Sequence, residues 1–130
     1  MKRIYVAGLY SRAKNGNTAN VIEVLDNMRK GIGNAVHLLN RGFSVFCPWL
    51  DFQFGLAHPI PKKVYQNNSM AWLEVSDAVL VISGAGLNSG VDREIERADQ
   101  LGIPVFYSIE GLLAAKEDMK HIGKMLKEAW

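Results

Sequence analysis

The stretch DAVLVISGAGLNSGVDREIERADQLGIPVFYS, from Asp77 to Ser108, decides the fold class. It begins with a nearly unbroken apolar run, which is typical of a strand buried on both faces. The segment from Val91 to Gly102 carries apolar residues at helical spacing and ends at a glycine, and IPVFYS follows as a second β-prone run. A strand, a helix and another strand in this order predict two parallel strands in one sheet.

The same alternation continues upstream and downstream. RIYVAG at Arg3–Gly8 and FSVFCP at Phe43–Pro48 are β-prone, and apolar residues recur at helical spacing from Val21 to Leu39 between them. Helices are also predicted over Lys62–Ser76, behind a proline, and over most of Glu110–Trp130. This order predicts an α/β protein of the flavodoxin or Rossmann-like type. We expect a doubly wound parallel sheet of about four to five strands with helices on both faces.

Some segments have a weaker or interrupted period. WLDFQFGLAHPIP, from Trp49 to Pro61, has aromatic residues, a histidine and prolines without a period, so it predicts an irregular loop whose exposed apolar residues form an oligomer interface. Gly31 and Gly33 weaken the middle of the first helix and indicate close packing there. We place Trp72 of the second helix in the core. Four apolar residues of the last helix are also predicted to be core: Leu113, Ile122, Met125 and Leu126.

Length and composition restrict the class of protein. The chain has 130 residues, 48% hydrophobic and 22% charged, which predicts one domain, residues 1–130, with one core. A net charge of +2 without a basic run argues against nucleic-acid polymers as partners. The single cysteine, Cys47, allows no intrachain disulfide and favours a reducing cytoplasm. The apolar run near the N-terminus is too short for a signal peptide or a membrane span, so we expect no membrane partner.

The predicted sheet indicates where a ligand binds. In doubly wound sheets the ligand lies outside the carboxyl ends of the strands, at the point where the strand order reverses. For the strand order 2-1-3-4, that point lies between the first and third strands. The loops GLYSRAKNGN, residues 8–17, and SGAGLNSG, residues 83–90, arrive there. The second loop leads into the helix that contains Glu94.

Glu94 has a placement that a solvated helix start does not explain. At about 100° per residue from Val91, the apolar residues cover an arc from about 280° to about 40°, and Glu94 falls inside it at about 300°. An acid in the first turn is favoured by the helix dipole, and Asp92 or Glu96 would serve that purpose as well. Only Glu94 adds the cost of partial burial, which is tolerated when a carboxylate is paired or functional. Spacing alone leaves the structural and the functional explanation open.

Two loops and one helix contain further candidate residues. Gly8 lets a ligand approach the backbone closely, while Ser11 and Arg12 offer a hydroxyl and a guanidinium suited to a phosphate or a sugar. The alternative is an ordinary polar loop, which the sequence alone favours slightly. Asn68 falls within the apolar arc of the second helix and Ser69 at its edge, so Asn68 needs a polar partner or faces the cleft. In the irregular loop, aromatic residues either stack on a flat base or pack beneath the loop: Trp49, Phe52 and Phe54.

Four segments together resemble a known family. They are IYVAGLYS, GFSVFCPWL, MAWLEVSDAVLVISG and NSGVDREIERADQLGIPVFYS, and they span most of the chain from Ile4 to Ser108. Their order and spacing resemble the nucleoside 2-deoxyribosyltransferase-like superfamily, which includes the deoxyribonucleoside 5′-monophosphate N-glycosidases and small bacterial and phage relatives. The most specific piece is S-G-x-x-x-E-I after a strand with D-A-V-L-V.

The resemblance implies an N-glycosidase or a deoxyribosyltransferase. Glu94 would attack C1′ of a 2-deoxyribonucleoside or its 5′-monophosphate, forming a glycosyl–enzyme ester that water or a second base resolves. No metal or other cofactor is implied. Sites of the family are often completed by a neighbouring subunit, which implies a homodimer or a larger homo-oligomer.

The resemblance also implies binding residues. Asn88 matches a position that contacts the sugar, and Ser89 and Gly90 belong to the same run. Asn68 and Ser69 match the region near the base. The first loop matches the segment that holds the 5′ end of the ligand, with Gly8, Tyr10, Ser11 and Arg12 as its residues.

Ser69 is a departure from the family pattern. The family often has an aspartate at this position, three residues ahead of a W-L pair, and that aspartate helps to protonate the leaving base. A serine is not a strong acid near neutral pH, and losing such a group typically costs about 10²–10⁴-fold in rate. Asn68 can hold a base, and Asp92 is a substitute acid that points away from the Glu94 side. The alternative function is therefore a protein of the same fold that binds or senses a nucleotide without turnover.

Overall fold

A computed structural model describes residues 1–10, 21–87 and 89–129, and these form an α/β structure around one parallel sheet. The strands are β1 (Arg3–Ala7), β2 (Ser44–Phe46), β3 (Ala78–Val81) and β4 (Val105–Phe106). Their spatial order in this four-stranded sheet is β2-β1-β3-β4. The predicted fold class is confirmed, and so is the reversal of strand order between β1 and β3.

The helices are α1 (Val21–Asn40), α2 (Lys62–Glu74), α3 (Gly90–Gln100) and α4 (Ile109–Ala129). The segment predicted as an irregular loop is mostly a 3₁₀ helix, Pro48–Leu56, which we call the 3₁₀ segment. Proline at its start has the backbone angle that such a turn requires and needs no hydrogen bond there. The tight turns have no apolar repeat that sequence periodicity detects, which explains the wrong prediction.

Helices cover both faces of the sheet because alternate residues of β1 point to opposite sides. Ile4 and Val6 pack in a core with buried residues of α1 and α4, including Leu38 and Leu112. Tyr5 lies in the second core, together with residues of α2 and α3. The doubly wound arrangement follows directly from this alternation.

The last helix extends beyond the sheet. Leu112 is fully buried and Leu113 is half-buried, but Ile122, Met125 and Leu126 are each more than half exposed. A helix of 21 residues is about 30 Å long, whereas the preceding strand has two residues, so only the first turns of α4 reach the sheet. The prediction that those three residues belong to the core is wrong.

Trp72 is also more exposed than predicted. Its side chain is 52% exposed, and its ring stacks on Phe46 with the ring centroids 5.6 Å apart. It therefore covers the edge of the second core and does not fill it. Among the described residues, no helix is both long enough and apolar enough to cross a membrane.

The loops after β1 and β3 are joined directly. Ile82 donates its backbone N–H to the carbonyl oxygen of Ala7 at 2.9 Å, and the N–H of Leu9 donates to the Ser83 hydroxyl at 3.0 Å. These bonds bring the carboxyl ends of the two central strands together. The start of α3 follows at the same edge of the sheet.

Candidate functional site

The start of α3 is fixed by a capping box. The Ser89 hydroxyl accepts the N–H of Val91 at 3.2 Å, and Asp92 accepts the N–H of Ser89 at 3.2 Å. Asp92 also accepts the N–H of Gly86 at 2.7 Å, which ties the preceding loop to the helix. The Asp92 carboxylate, the substitute acid suggested by the sequence, thus accepts two loop N–H groups at the helix start.

Glu94 lies in the first turns of this capped helix and points inward, as the angular count predicts. Its Oε2 atom is buried and has no hydrogen-bond partner among the described residues. Burial raises the pKa of Glu94 to about 7, although a hydrogen bond from the Tyr5 phenol and the charge of Arg93 both lower it. A carboxylate that is buried in this way destabilises the folded state, and groups with strongly shifted pKa values cluster at functional sites.

Tyr5 of β1 is a hydrogen-bond partner of Glu94. The side chain is 1% exposed, and its phenol hydrogen-bonds to Glu94 and to Ser69. Burial and the neighbouring Glu94 carboxylate raise the pKa of Tyr5 above its ordinary range, so the phenol stays protonated and donates. The sequence patterns did not single out Tyr5. The available signal was a phenol in the middle of a buried strand, since a buried hydroxyl needs a polar partner.

Asn68 and Ser69 of α2 are both half-buried and reach the same region. Ser69 meets the Tyr5 phenol, and Asn68 donates its Nδ2 to Oδ2 of Asp51 at 3.3 Å. The polar partner that the sequence required for Asn68 is therefore a carboxylate. Two successive residues of one helix connect the Glu94 side of the site with the 3₁₀ segment.

Asp51 is a second half-buried acid that sequence analysis did not identify. Burial raises the pKa of its carboxyl group, while the hydrogen bond from Asn68 lowers it. The residue was hidden in the segment without an apolar period, where a side chain's direction cannot be counted from the sequence. The 3₁₀ conformation of this segment directs the Asp51 side chain towards α2.

Tyr10 lies in the loop after β1 and contacts aromatic residues of the 3₁₀ segment. Its ring meets Phe52 edge-on with centroids 4.9 Å apart and Trp49 with centroids 5.7 Å apart. Burial raises the pKa of Tyr10, and the negative charges of Asp51 and Glu94 raise it further. The phenol is therefore within electrostatic range of both carboxylates.

Gly8 has a packing role that the sequence did not indicate. A Cβ built there would lie 2.7 Å from the ring atom Cη2 of Trp49, and one built at Gly31 would lie 2.5 Å from Cε3. Trp49 is 1% exposed and is held between two glycines, so it is not accessible for stacking on a base. Phe52 and Phe54 of the 3₁₀ segment remain exposed.

Ser89 and Gly90 belong to the frame of α3. The Ser89 hydroxyl accepts Val91 N–H and donates to the carbonyl oxygen of Gly84 at 3.1 Å, so it is engaged within the protein. A Cβ at Gly90 would meet Arg93 at an ordinary 3.7 Å, so packing does not require glycine there. Three predicted binding residues lie outside the described residues: Ser11, Arg12 and Asn88.

A separate cavity opens between α1 and the ends of β1 and β3. Glu94 is not among its described lining residues, which are Leu9, Glu23, Asp26, Asn27, Lys30, Asn34, Ile82 and Ser83. The ammonium of Lys30 pairs with Asp26 at 3.1 Å, and Glu23 adds a further acid. This composition does not suit a phosphate, so we place the candidate site at Glu94.

The geometry brings Glu94, Tyr10, Asn68 and Ser69 together, and it adds two residues, Tyr5 and Asp51. No family model, curated protein or solved structure matches this chain. These comparisons therefore add no information about the chemistry of the site.

Proposed function

We propose that this protein cleaves or transfers at the N-glycosidic bond of a 2-deoxyribonucleoside or its 5′-monophosphate, with Glu94 as the nucleophile. The observation that carries the proposal is the buried Glu94 carboxylate at the strand-order reversal, with Oε2 free of hydrogen bonds among the described residues. The sequence resemblance to the 2-deoxyribosyltransferase-like superfamily supplies the substrate class.

The environment of Glu94 favours covalent chemistry. A buried carboxylate loses hydration, so its charged form is costly, and converting it into an ester removes that charge. The hydrogen bond from Tyr5 engages the carboxylate and restrains its orientation. Oε2 accepts no hydrogen bond from the described residues, so its lone pairs are not engaged by a protein donor.

The reaction proceeds in two displacements at C1′. First, a Glu94 oxygen forms a bond to C1′ while the C1′–N bond breaks and its electron pair leaves with the base. Second, water or the nitrogen of another base attacks C1′, and the bond to the Glu94 oxygen breaks. The configuration at C1′ is retained because each displacement inverts it once.

The substrate is a small molecule with a flat base. Phe52 is exposed beside Tyr10, and aromatic rings of this kind provide a surface for a base. Ser11 and Arg12 are proposed to hold the 5′ end, and Asn88 the sugar, as the resemblance implies. We place the reaction in the cytoplasm, whose reducing state preserves a free thiol such as Cys47.

The test is base release from a panel of deoxyribonucleosides and their 5′-monophosphates, followed by chromatography. We expect Glu94→Gln to abolish release, because the amide is a poor nucleophile of nearly the same shape. Glu96→Gln is the matched control, since Glu96 is an exposed carboxylate on the same helix. If the wild-type protein releases no more base than Glu94→Gln for every substrate, the proposal fails.

The second candidate is a protein that binds or senses a nucleotide without turnover. Ser69, where the resembled family has an acid, is the observation that favours it. Calorimetry with the same panel separates the two functions. Tight binding of an intact nucleotide without any product would support the second candidate and contradict the first.

A further inference from the structure

The leaving base needs a proton, and the residues already assigned do not supply one. Glu94 acts as the nucleophile, and Ser69 is not an acid near neutral pH. Asp92 accepts the N–H groups of Ser89 and Gly86 at the start of α3. Burial holds the pKa values of the Tyr5 and Tyr10 phenols above their ordinary range, which makes them weaker acids still.

Asp51 brings a second carboxyl group to the residues around Glu94. Asp51 lies on the 3₁₀ segment and is hydrogen-bonded to Asn68, whereas Glu94 lies on α3 and is hydrogen-bonded to Tyr5. Tyr10 lies within electrostatic range of both carboxyl groups. Asn68 engages one carboxylate oxygen of Asp51 through Nδ2 at 3.3 Å, which orients the group. Phe52, the next residue, packs against Tyr10 and provides an aromatic surface beside the acid.

We propose that Asp51 is the general acid that protonates the leaving base, with Asn68 as its positioning residue. This inference rests on the proposed function. The raised pKa of Asp51, caused by burial, increases the fraction of the carboxyl group that is protonated and able to donate. The acid thus comes from the 3₁₀ segment and not from position 69 of α2.

The two steps balance with these residues alone. The Asp51 proton passes to a nitrogen or oxygen of the base as the C1′–N bond breaks, and the base leaves neutral while the Glu94–C1′ ester forms. Water then enters on the side that the base has left. The water oxygen attacks C1′ while the Asp51 carboxylate takes a proton from the water. This step restores the protonated form of Asp51 and breaks the bond between C1′ and the Glu94 oxygen.

The experiment compares two substrates that share one sugar. One has the ordinary base that the wild-type protein releases, and the other has a modified form that leaves without a proton. For a purine this is the 7-methylated base, and for a pyrimidine it is the 5-fluoro base, which leaves more readily as an anion. Asp51→Asn is the test variant, and Asp99→Asn, at an exposed carboxylate of α3, is the matched control.

We expect Asp51→Asn to release the ordinary base about 10²–10⁴-fold more slowly, the usual contribution of a general acid. Release of the modified base should be slowed much less. It should stay within about tenfold of wild type for the 7-methylated purine, which leaves neutral without a proton, and the loss should be reduced for the 5-fluoro base, which depends less on a proton. Glu94→Gln should release neither base, and Asp99→Asn should release both at the wild-type rate. Asn68→Ala, which leaves the Asp51 carboxyl group in place, should show a smaller selective loss of the same kind and remains a test if Asp51→Asn does not fold.

The outcomes separate the two proposals. Equal losses on both substrates in the Asp51 and Asn68 variants, or no loss in either variant, would overturn the assignment of Asp51 while leaving Glu94 as nucleophile. A wild-type protein that releases neither base would instead overturn the proposed function, and this assignment with it.

Discussion

At the scale of single residues, the site depends on a carboxylate that the fold holds at a cost. The position of Glu94 along α3 makes its side chain point inward. Its hydrogen bond, however, comes from Tyr5 on β1, which lies far earlier in the chain. The bond offsets only part of the burial cost, since the pKa of Glu94 is still raised to about 7. Groups that lower stability in this way are common at functional sites.

The stability of the protein should therefore depend on the charge of Glu94. The folded-state pKa of Glu94, about 7, is above the unfolded value of 4.5, so the folded state binds the proton more tightly. The resulting contribution to the free energy of unfolding is fully present below pH 4.5. That contribution is lost as the pH rises through 7. Glu94→Gln has no such loss, so its free energy of unfolding relative to wild type should rise by about 2–3 kcal/mol between pH 5 and pH 8.5.

Chemical denaturation at the two pH values measures this difference. Glu96→Gln is again the control, and its difference from wild type should be the same at both values because Glu96 is exposed. A constant difference for Glu94→Gln would show that the carboxylate is not buried in the folded protein.

At the scale of elements, α1 and the loop after β1 enclose the Trp49 ring between glycines. This packing places the 3₁₀ segment, and Asp51 with it, next to α2. The expectation of close packing around the first helix's glycines holds for Gly31. It is wrong for Gly33, where an added Cβ would meet no described atom within 4 Å. Spacing along one helix does not reveal which of two glycines faces a partner.

Two alanine substitutions in α1 should consequently have opposite effects. Gly33→Ala should stabilise the protein by up to about 1 kcal/mol, the difference in helix propensity. Gly31→Ala gains the same propensity but forces a Cβ to within 2.5 Å of a ring that Gly8 confines on another side. Overpacking of this kind costs about 1–3 kcal/mol, so the clash should exceed the gain and the protein should be destabilised.

Thermal unfolding of the two variants checks the sign of each change. Gly31→Ala should also lower base release, because displacing Trp49 displaces the neighbouring Asp51. Equal stabilisation by both substitutions would mean that Trp49 does not occupy the position between the glycines.

At the scale of the whole molecule, several apolar surfaces remain uncovered in the described part of the chain, the start of α1 among them, and two are candidates for assembly. One is the 3₁₀ segment, where Phe54 is 55% and Leu56 is 89% exposed. The other is the end of α4, with Ile122 and Leu126. We propose that the chain forms a homodimer or a larger homo-oligomer through the 3₁₀ segment. Short 3₁₀ turns have weak hydrogen-bond geometry, so a segment this exposed gains from a partner, and it adjoins Asp51.

Sedimentation at micromolar concentration tests this assembly. The double variant Phe54→Lys with Leu56→Lys should sediment as a monomer, because burying two charges in an apolar interface is unfavourable. Ile122→Lys with Leu126→Lys on α4 is the matched pair and should leave the assembly intact. The reverse result would move the interface to α4, and a monomeric wild-type protein would contradict the proposal.

The amino-acid sequence by itself determined the α/β class, the order of the elements and the inward direction of Glu94. Each of these depends on periods of two or about 3.6 residues within one element, which local sequence contains. Tertiary structure alone decided the bond from Tyr5, the arrival of Asp51 beside Asn68, the enclosure of Trp49 and the exposed end of α4. Each of these depends on which elements meet and how far they extend past the sheet, and no period along the chain records that.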